Sequence, residues 1–201
     1  MIVLSILMAL WVDQWKQQRS ERDLVTASLS TFLREAQQNK ARLDDILPYH
    51  KGIRSMLAGM ENSPAGIRTP SDFQNSVGID GLRPPFLVET AWQTAVATGA
   101  LTKMDYATVS ALSLTYTLQE RFREESRSGI QMVLQASNFA SGHPQGAIHT
   151  ADMYLQEVIT NEEELRATYA QVAAVLRAKL ASLSPVPARS DTAVSPQRQA
   201  P

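Results

Sequence analysis

Val25, Leu29, Phe32, Ala36, Asn39, Leu43, Ile46, His50, Ile53, Leu57 and Met60 follow one another in alternating steps of four and three. An α-helix turns once in about 3.6 residues, so this spacing lays a single stripe along one helical face for about ten turns. A stripe of that length cannot sit as a strand, and it needs another helix lying lengthwise against it. The class expected is therefore all-α. The stripe is imperfect, because Ala36 is small while Asn39 and His50 are polar. Pro48 falls inside it, lacks the N–H of a regular turn, and predicts a kink or break near Leu47.

The remaining chain supplies the partners. Pro64, Gly66, Pro70, Gly78, Gly81, Pro84 and Pro85 interrupt any period between 62 and 86, so a loop is expected there. It is long for a compact domain, which points to a segment ordered over the bundle or serving a function, with Phe73, Val77, Ile79 and Phe86 available to tack it down. A short helix is expected from Glu89 to Thr98, stopped by Gly99, and another from Thr102, whose hydroxyl can cap it with Asp105 in the first turn. Val109, Leu112 and Tyr116 mark one face of that helix. Farther on, Arg121, Arg123 and Arg127 interleave with Glu120, Glu124 and Glu125, the pattern of a solvated face laced by local pairs.

Gly142, Pro144 and Gly146 predict a turn, followed by a last helix from about Ala151 to Leu183. Its face is Leu155, Val158, Glu162, Leu165, Tyr169, Val172, Leu176 and Leu183. Residues 184–201 are proline-rich with little apolar mass, and disorder is expected.

The first twelve residues form a separate problem. Only Ser5 among them is polar, and Asp13, Lys16, Arg19 and Arg22 follow at once. From Ile2 to Val12 a helix rises about 17 Å, short of the roughly 30 Å of a bilayer's hydrocarbon core. A cleaved signal peptide would need a basic start and a small-residue cleavage site, and neither is present. A soluble core helix would carry a polar stripe, yet this stretch is apolar all round. Ile2, Val3, Leu4, Ile6, Leu7 and Leu10 with Trp11 and Trp15 therefore read as the end of a membrane anchor, the two indoles suiting the headgroup layer. Its shortness implies that the true start lies upstream of Met1 or that the segment dips into one leaflet. Lys16, Arg19 and Arg22 would draw their flank toward the cytoplasm.

The expected organisation is thus an anchor at 1–15 and a heptad-patterned helix at 16–61. A loop at 62–86, helices over 87–183 and a tail at 184–201 follow. The fold is a transmembrane helix continuing into an antiparallel bundle of three long helices and one short one.

Composition removes several functions. Lys plus Arg number 19 against 20 Asp plus Glu, so no basic field exists to attract nucleic acid. No cysteine is present, which excludes disulfides, thiolate metal sites and thiol nucleophiles. His143 and His149 stand six apart in no metal-binding spacing, His50 reads as a hydrogen-bonded core histidine, and Asn161 to Leu165 (NEEEL) as an exposed acidic face. No phosphate-binding glycine loop and no G-x-S-x-G elbow occur. No catalytic, metal or cofactor residue is expected, and no enzyme.

"SILMALWVDQWKQQRSER" and "AWQTAVATGALTKMDYATVSALSLTYTLQE" carry Asp13 and Trp15, then Trp92, Gly99, Ala100, Leu101, Asp105, Tyr106 and Tyr116. In these the chain resembles a group of bacterial single-pass membrane proteins defined as a domain of unknown function. The resemblance covers about a quarter of the chain. It implies a longer N-terminal segment, an inner-membrane location and a helical region facing the periplasm, and it implies no activity. The function expected is a non-enzymatic, membrane-anchored scaffold or interaction module, with membrane lipid and another membrane or periplasmic protein, or itself, as partners. The alternative is a sensor-like module without its own output domain, binding a small molecule among Asn39, His50, Trp92 and Tyr116.

Overall fold

The computed structural model describes residues 2–61, 72, 75, 82–138 and 144–183. Helix α1 runs from Ile2 to Glu61, α2 from Thr90 to Ala97, α3 from Tyr106 to Asn138 and α4 from Pro144 to Leu183, with a 3-10 turn at Ala100–Lys103. No strand occurs among the described residues. The all-α expectation holds.

Contacts between helices fix their directions. Arg54 reaches Asp152, Lys51 reaches Glu163, His50 meets Glu162 and Asn39 meets Tyr169, so α4 descends against α1. Tyr116 meets Glu35 and Gln119 meets Asn39, so α3 ascends beside α1 and antiparallel to α4. Between α2 and α3, Gly99 adopts φ +70°, a conformation that a Cβ would strain, and turns the chain at the foot of the bundle. The residues that cap α3 differ from expectation. Thr102 spends its hydroxyl on the Gly99 carbonyl, 2.8 Å away, inside the 3-10 turn. Asp105 caps instead, accepting from the Thr108 N–H at 3.0 Å and the Thr108 hydroxyl at 2.8 Å.

Lys179 from α4 lies 2.9 Å from the same carboxylate. With the Thr108 bonds it holds Asp105 well below the usual carboxylate range, the lysine being the largest cause. A carboxyl whose folded value is depressed contributes stability that is complete above its unfolded value, near 4, and is lost as pH falls toward the folded one. Replacing Asp105 with Ala should cost about 1 kcal/mol near neutral pH, the worth of an N-cap, with little added by the solvent-screened lysine. Urea unfolding of both forms measures this, and the gap should close as the pH is taken below about 4.

Nearly the whole stripe of α1 is buried: Val25, Leu29, Phe32, Ala36, Asn39, Leu43, His50, Ile53 and Leu57. Between Leu43 and His50 the chain steps four then three, so Leu47 is buried and Ile46 only half-buried. Pro48 does not break α1. It faces solvent, where the carbonyl it leaves unbonded can meet water, and buried Leu47 and His50 hold the chain on either side of it.

On α4 the expected face is buried from Leu155 through Leu176, while Leu183 is exposed at the end. That helix starts seven residues early, because Pro144 fits a first helical turn and Ala147, Ile148 and Ala151 are buried beneath it. The inward face of α3 is Thr108, Leu112, Thr115, Gln119, Phe122, Ser126, Gly129 and Val133, another four-three stripe that polar residues conceal in the sequence. Gly129 is required there by close approach, since a Cβ at that position would overlap the Tyr154 ring.

The first part of α1 departs from the bundle. Every described side chain from Leu4 to Ser20 is exposed, Trp11 by 68%, and burial begins only at Val25. No described helix is long and apolar enough to cross a membrane, because the apolar stretch ends at Val12 and charges follow within a turn. The side chains of Ile2, Val3 and Ile6 lie outside the described residues, as do Phe73, Val77, Ile79, Gly142, His143 and the tail from 184.

Candidate functional site

The expected loop ends in an ordered strap, residues 82–89, that lies along α1 in the opposite direction. Leu82 is bonded to His50, Phe86 to Arg42, Val88 to Asn39 and Ala91, just beyond it, to Glu35. Six residues of strap thus cover eleven residues of helix, a rise of about 16 Å, which requires nearly extended backbone. Arg83 turns the chain at φ +28° and places its guanidinium over the Tyr49 ring. Phe86 does not tack the strap down; it is 78% exposed, and its neighbour Leu87 is the buried anchor.

An extended segment against a helix has no ladder to satisfy its amides, so side chains of the α1 stripe must do so. Asn39 accepts from the Val88 N–H at 2.9 Å and donates to the Val88 carbonyl at 2.7 Å, standing in for a neighbouring strand. Gln119 from α3 donates to the same carbonyl at 3.1 Å, and its own oxygen accepts from the Tyr169 hydroxyl of α4. Four elements therefore meet at one half-buried residue.

One turn lower, Glu35 is buried yet fully engaged. One oxygen accepts from the Thr90 hydroxyl and the Ala91 N–H, both at 2.8 Å, and the other from the Tyr116 hydroxyl at 2.6 Å. Glu89, which precedes α2, makes no side-chain cap. Glu35 caps α2 from another helix, its charge set against the positive end of the α2 dipole. Burial, then the bond to Glu35, pushes the Tyr116 phenol well up from its ordinary value, so it stays a donor. Its ring packs against Trp92 and Phe32, with centroids 5.4 and 5.9 Å away.

About three turns above Asn39, His50 and Glu162 are both 0% exposed. Nδ1 lies 2.9 Å from Oε1 and 3.0 Å from Oε2, and Nε2 lies 2.9 Å from the Leu82 carbonyl. A carbonyl only accepts, so Nε2 carries a proton. A second proton must lie between Nδ1 and the carboxyl, and the pair is neutral as a unit whichever partner holds it. Nearby, burial first and the Glu162 charge second push the Tyr154 phenol up to about 12. Glu162 corrects the reading of the NEEEL run as one exposed face: it points inward, while Glu163 and Glu164 are exposed.

The four residues singled out in the sequence separate into levels. Trp92 and Tyr116 stack, Asn39 lies about one turn above Glu35, and His50 stands about 16 Å farther along α1. The cavity beside Trp92 and Tyr116, about 560 Å³, is walled by Glu89, Glu120, Arg121 and Glu124 and does not include Asn39 or His50. Asn39 and His50 are committed to the strap. Sequence reasoning missed Glu35 and Gln119, which sit where a helix face turns polar and carry no local mark of burial.

The arginine-rich stretch of α3 also does more than pair locally. Arg123 joins Glu120 at 2.6 Å but also holds Glu89, and Arg121 lies 3.5 Å from both Glu125 and Glu164 of α4. His149 is exposed on the first turns of α4, and no cluster of acidic or imidazole side chains that could hold a metal occurs among the described residues. Comparison with protein-family models, with curated proteins and with solved structures finds no match to this chain.

Proposed function

We propose that this protein is a non-enzymatic helical scaffold attached to a bacterial inner membrane by the projecting end of α1, with its bundle on the periplasmic side. One observation carries the reading. Leu4, Leu7, Met8, Leu10, Trp11, Val12 and Trp15 are exposed around a helix that continues unbroken into the bundle. Uncovered apolar surface of that extent is costly in water, and lipid removes the cost. Trp15, with Arg19 5.7 Å from its ring, and then Lys16 and Arg22 suit the headgroup layer that such a segment would enter. The resemblance of the two quoted stretches to single-pass membrane proteins supports the same placement.

The bundle supports a scaffold rather than a catalyst, because three of its buried polar side chains are spent structurally, Asn39 and His50 on holding the strap and Glu35 on capping α2. Flotation of the full chain with phosphatidylcholine liposomes tests the attachment. The native protein should rise with the lipid, and Leu7→Glu combined with Trp11→Glu should leave it at the bottom while helicity by circular dichroism is unchanged. A native chain that stays with the soluble fraction overturns the proposal.

A further inference from the structure

The strap and α3 do not close on each other completely. Between them runs a groove of about 650 Å³, walled on one side by residues 84–90 and on the other by the α3 face from Gln119 to Ile130. That volume falls in the usual range for small-molecule sites. Its walls are largely apolar, with Pro84, Leu87, Phe122 and Ile130 among them. Its polar lining is mostly committed: Gln119 to Val88 and Tyr169, and Arg123 to Glu89 and Glu120, which also neutralises the Glu89 carboxylate on the rim. Two donors are left.

The first is Ser126. Its hydroxyl is buried without a hydrogen-bond partner. Elsewhere in these helices the hydroxyls of Ser30, Thr31, Thr115, Thr150, Thr160 and Thr168 each bond to the carbonyl four residues back. Ser126 does not, although it is 5% exposed and pays more for an unmade bond than they would. The second is Arg127, the next residue, an exposed guanidinium on the groove with no carboxylate partner among the described residues.

We infer that this groove binds an amphiphilic carboxylate, its acid group held by the Ser126 hydroxyl and the Arg127 guanidinium and its aliphatic chain lying along Leu87, Phe122 and Ile130. A carboxylate accepts from several donors at once, which matches two neighbouring donors left without partners among the described residues. A β-strand of another protein fits less well, because Pro84 and Pro85 remove two N–H groups from the strap edge it would pair with. The strap's hydrogen bonds to α1 make the groove preformed, so little ordering is required on binding. This site is independent of how α1 meets the membrane.

Titration of the purified full chain with sodium decanoate, followed by calorimetry, tests the assignment. One saturable site is expected, weakened about tenfold or more by Arg127→Gln and several-fold by Ser126→Ala, unchanged by Arg121→Gln, and about tenfold weaker for the uncharged decanol. Weakening in either groove variant with Arg121→Gln unaffected supports the site. No saturable binding, equal binding of decanol, wild-type affinity in both groove variants, or an equal loss in Arg121→Gln overturns it.

Discussion

Glu162→Ala is expected to destabilise the bundle by about 2–4 kcal/mol, the cost of a buried nitrogen left without its partner together with the cavity the side chain leaves. The loss is large because His50 keeps its other commitment. Its Nε2–H still serves the Leu82 carbonyl, while Nδ1 is left buried with no group to share a proton. Glu162→Gln separates the charge from the bond. A glutamine amide can donate to an unprotonated Nδ1, giving neutral histidine two satisfied nitrogens, so this variant should lie within about 1 kcal/mol of the native chain. Urea unfolding of the three forms is the measurement. Equal stability of Glu162→Ala and the native chain would mean that His50 and Glu162 are not paired in this way.

Asn39→Leu is the second large effect, and here the sequence pattern points the wrong way. Leucine would complete the apolar stripe of α1 and, on the heptad alone, should stabilise the helix pair. In the fold it removes the acceptor of the Val88 N–H and the shorter of two donors to the Val88 carbonyl. Gln119 still reaches that carbonyl, but the N–H loses its acceptor, which costs about 1–3 kcal/mol, with further loss from a branched side chain against extended backbone. A net destabilisation of about 2–3 kcal/mol is expected. Hydrogen exchange gives the specific readout. The amides of Val88 and Ala91 should lose protection, while those in the middle of α4 should not. Increased stability in the leucine variant would show that the strap does not depend on α1.

These two substitutions mark where sequence reasoning stops. The stripe from Val25 to Leu57 was legible because apolar side chains at helical spacing must leave water together, whatever they meet. Gly99 was legible for a local reason, its positive φ at the end of α2. The stripe of α3 was not. Thr108, Thr115, Gln119 and Ser126 occupy inward positions that a hydropathy pattern assigns to water; Thr108 and Thr115 bond locally to Asp105 and the Ala111 carbonyl, while Gln119 depends on the strap and α4.

By itself, the chain determined an all-helical fold, its turn at Gly99 and a first segment apolar on every side, since each follows from local periodicity, backbone preference or transfer from water. Tertiary structure decided that α4 begins at Pro144, where Ala147, Ile148 and Ala151 are buried. It turned Glu162 inward, made Asn39 and His50 carry a strap from residues far along the chain, and made Glu35 cap α2. A polar side chain is stable inside only when its partners are brought to it, and those partners stand 32 to 130 residues away in sequence.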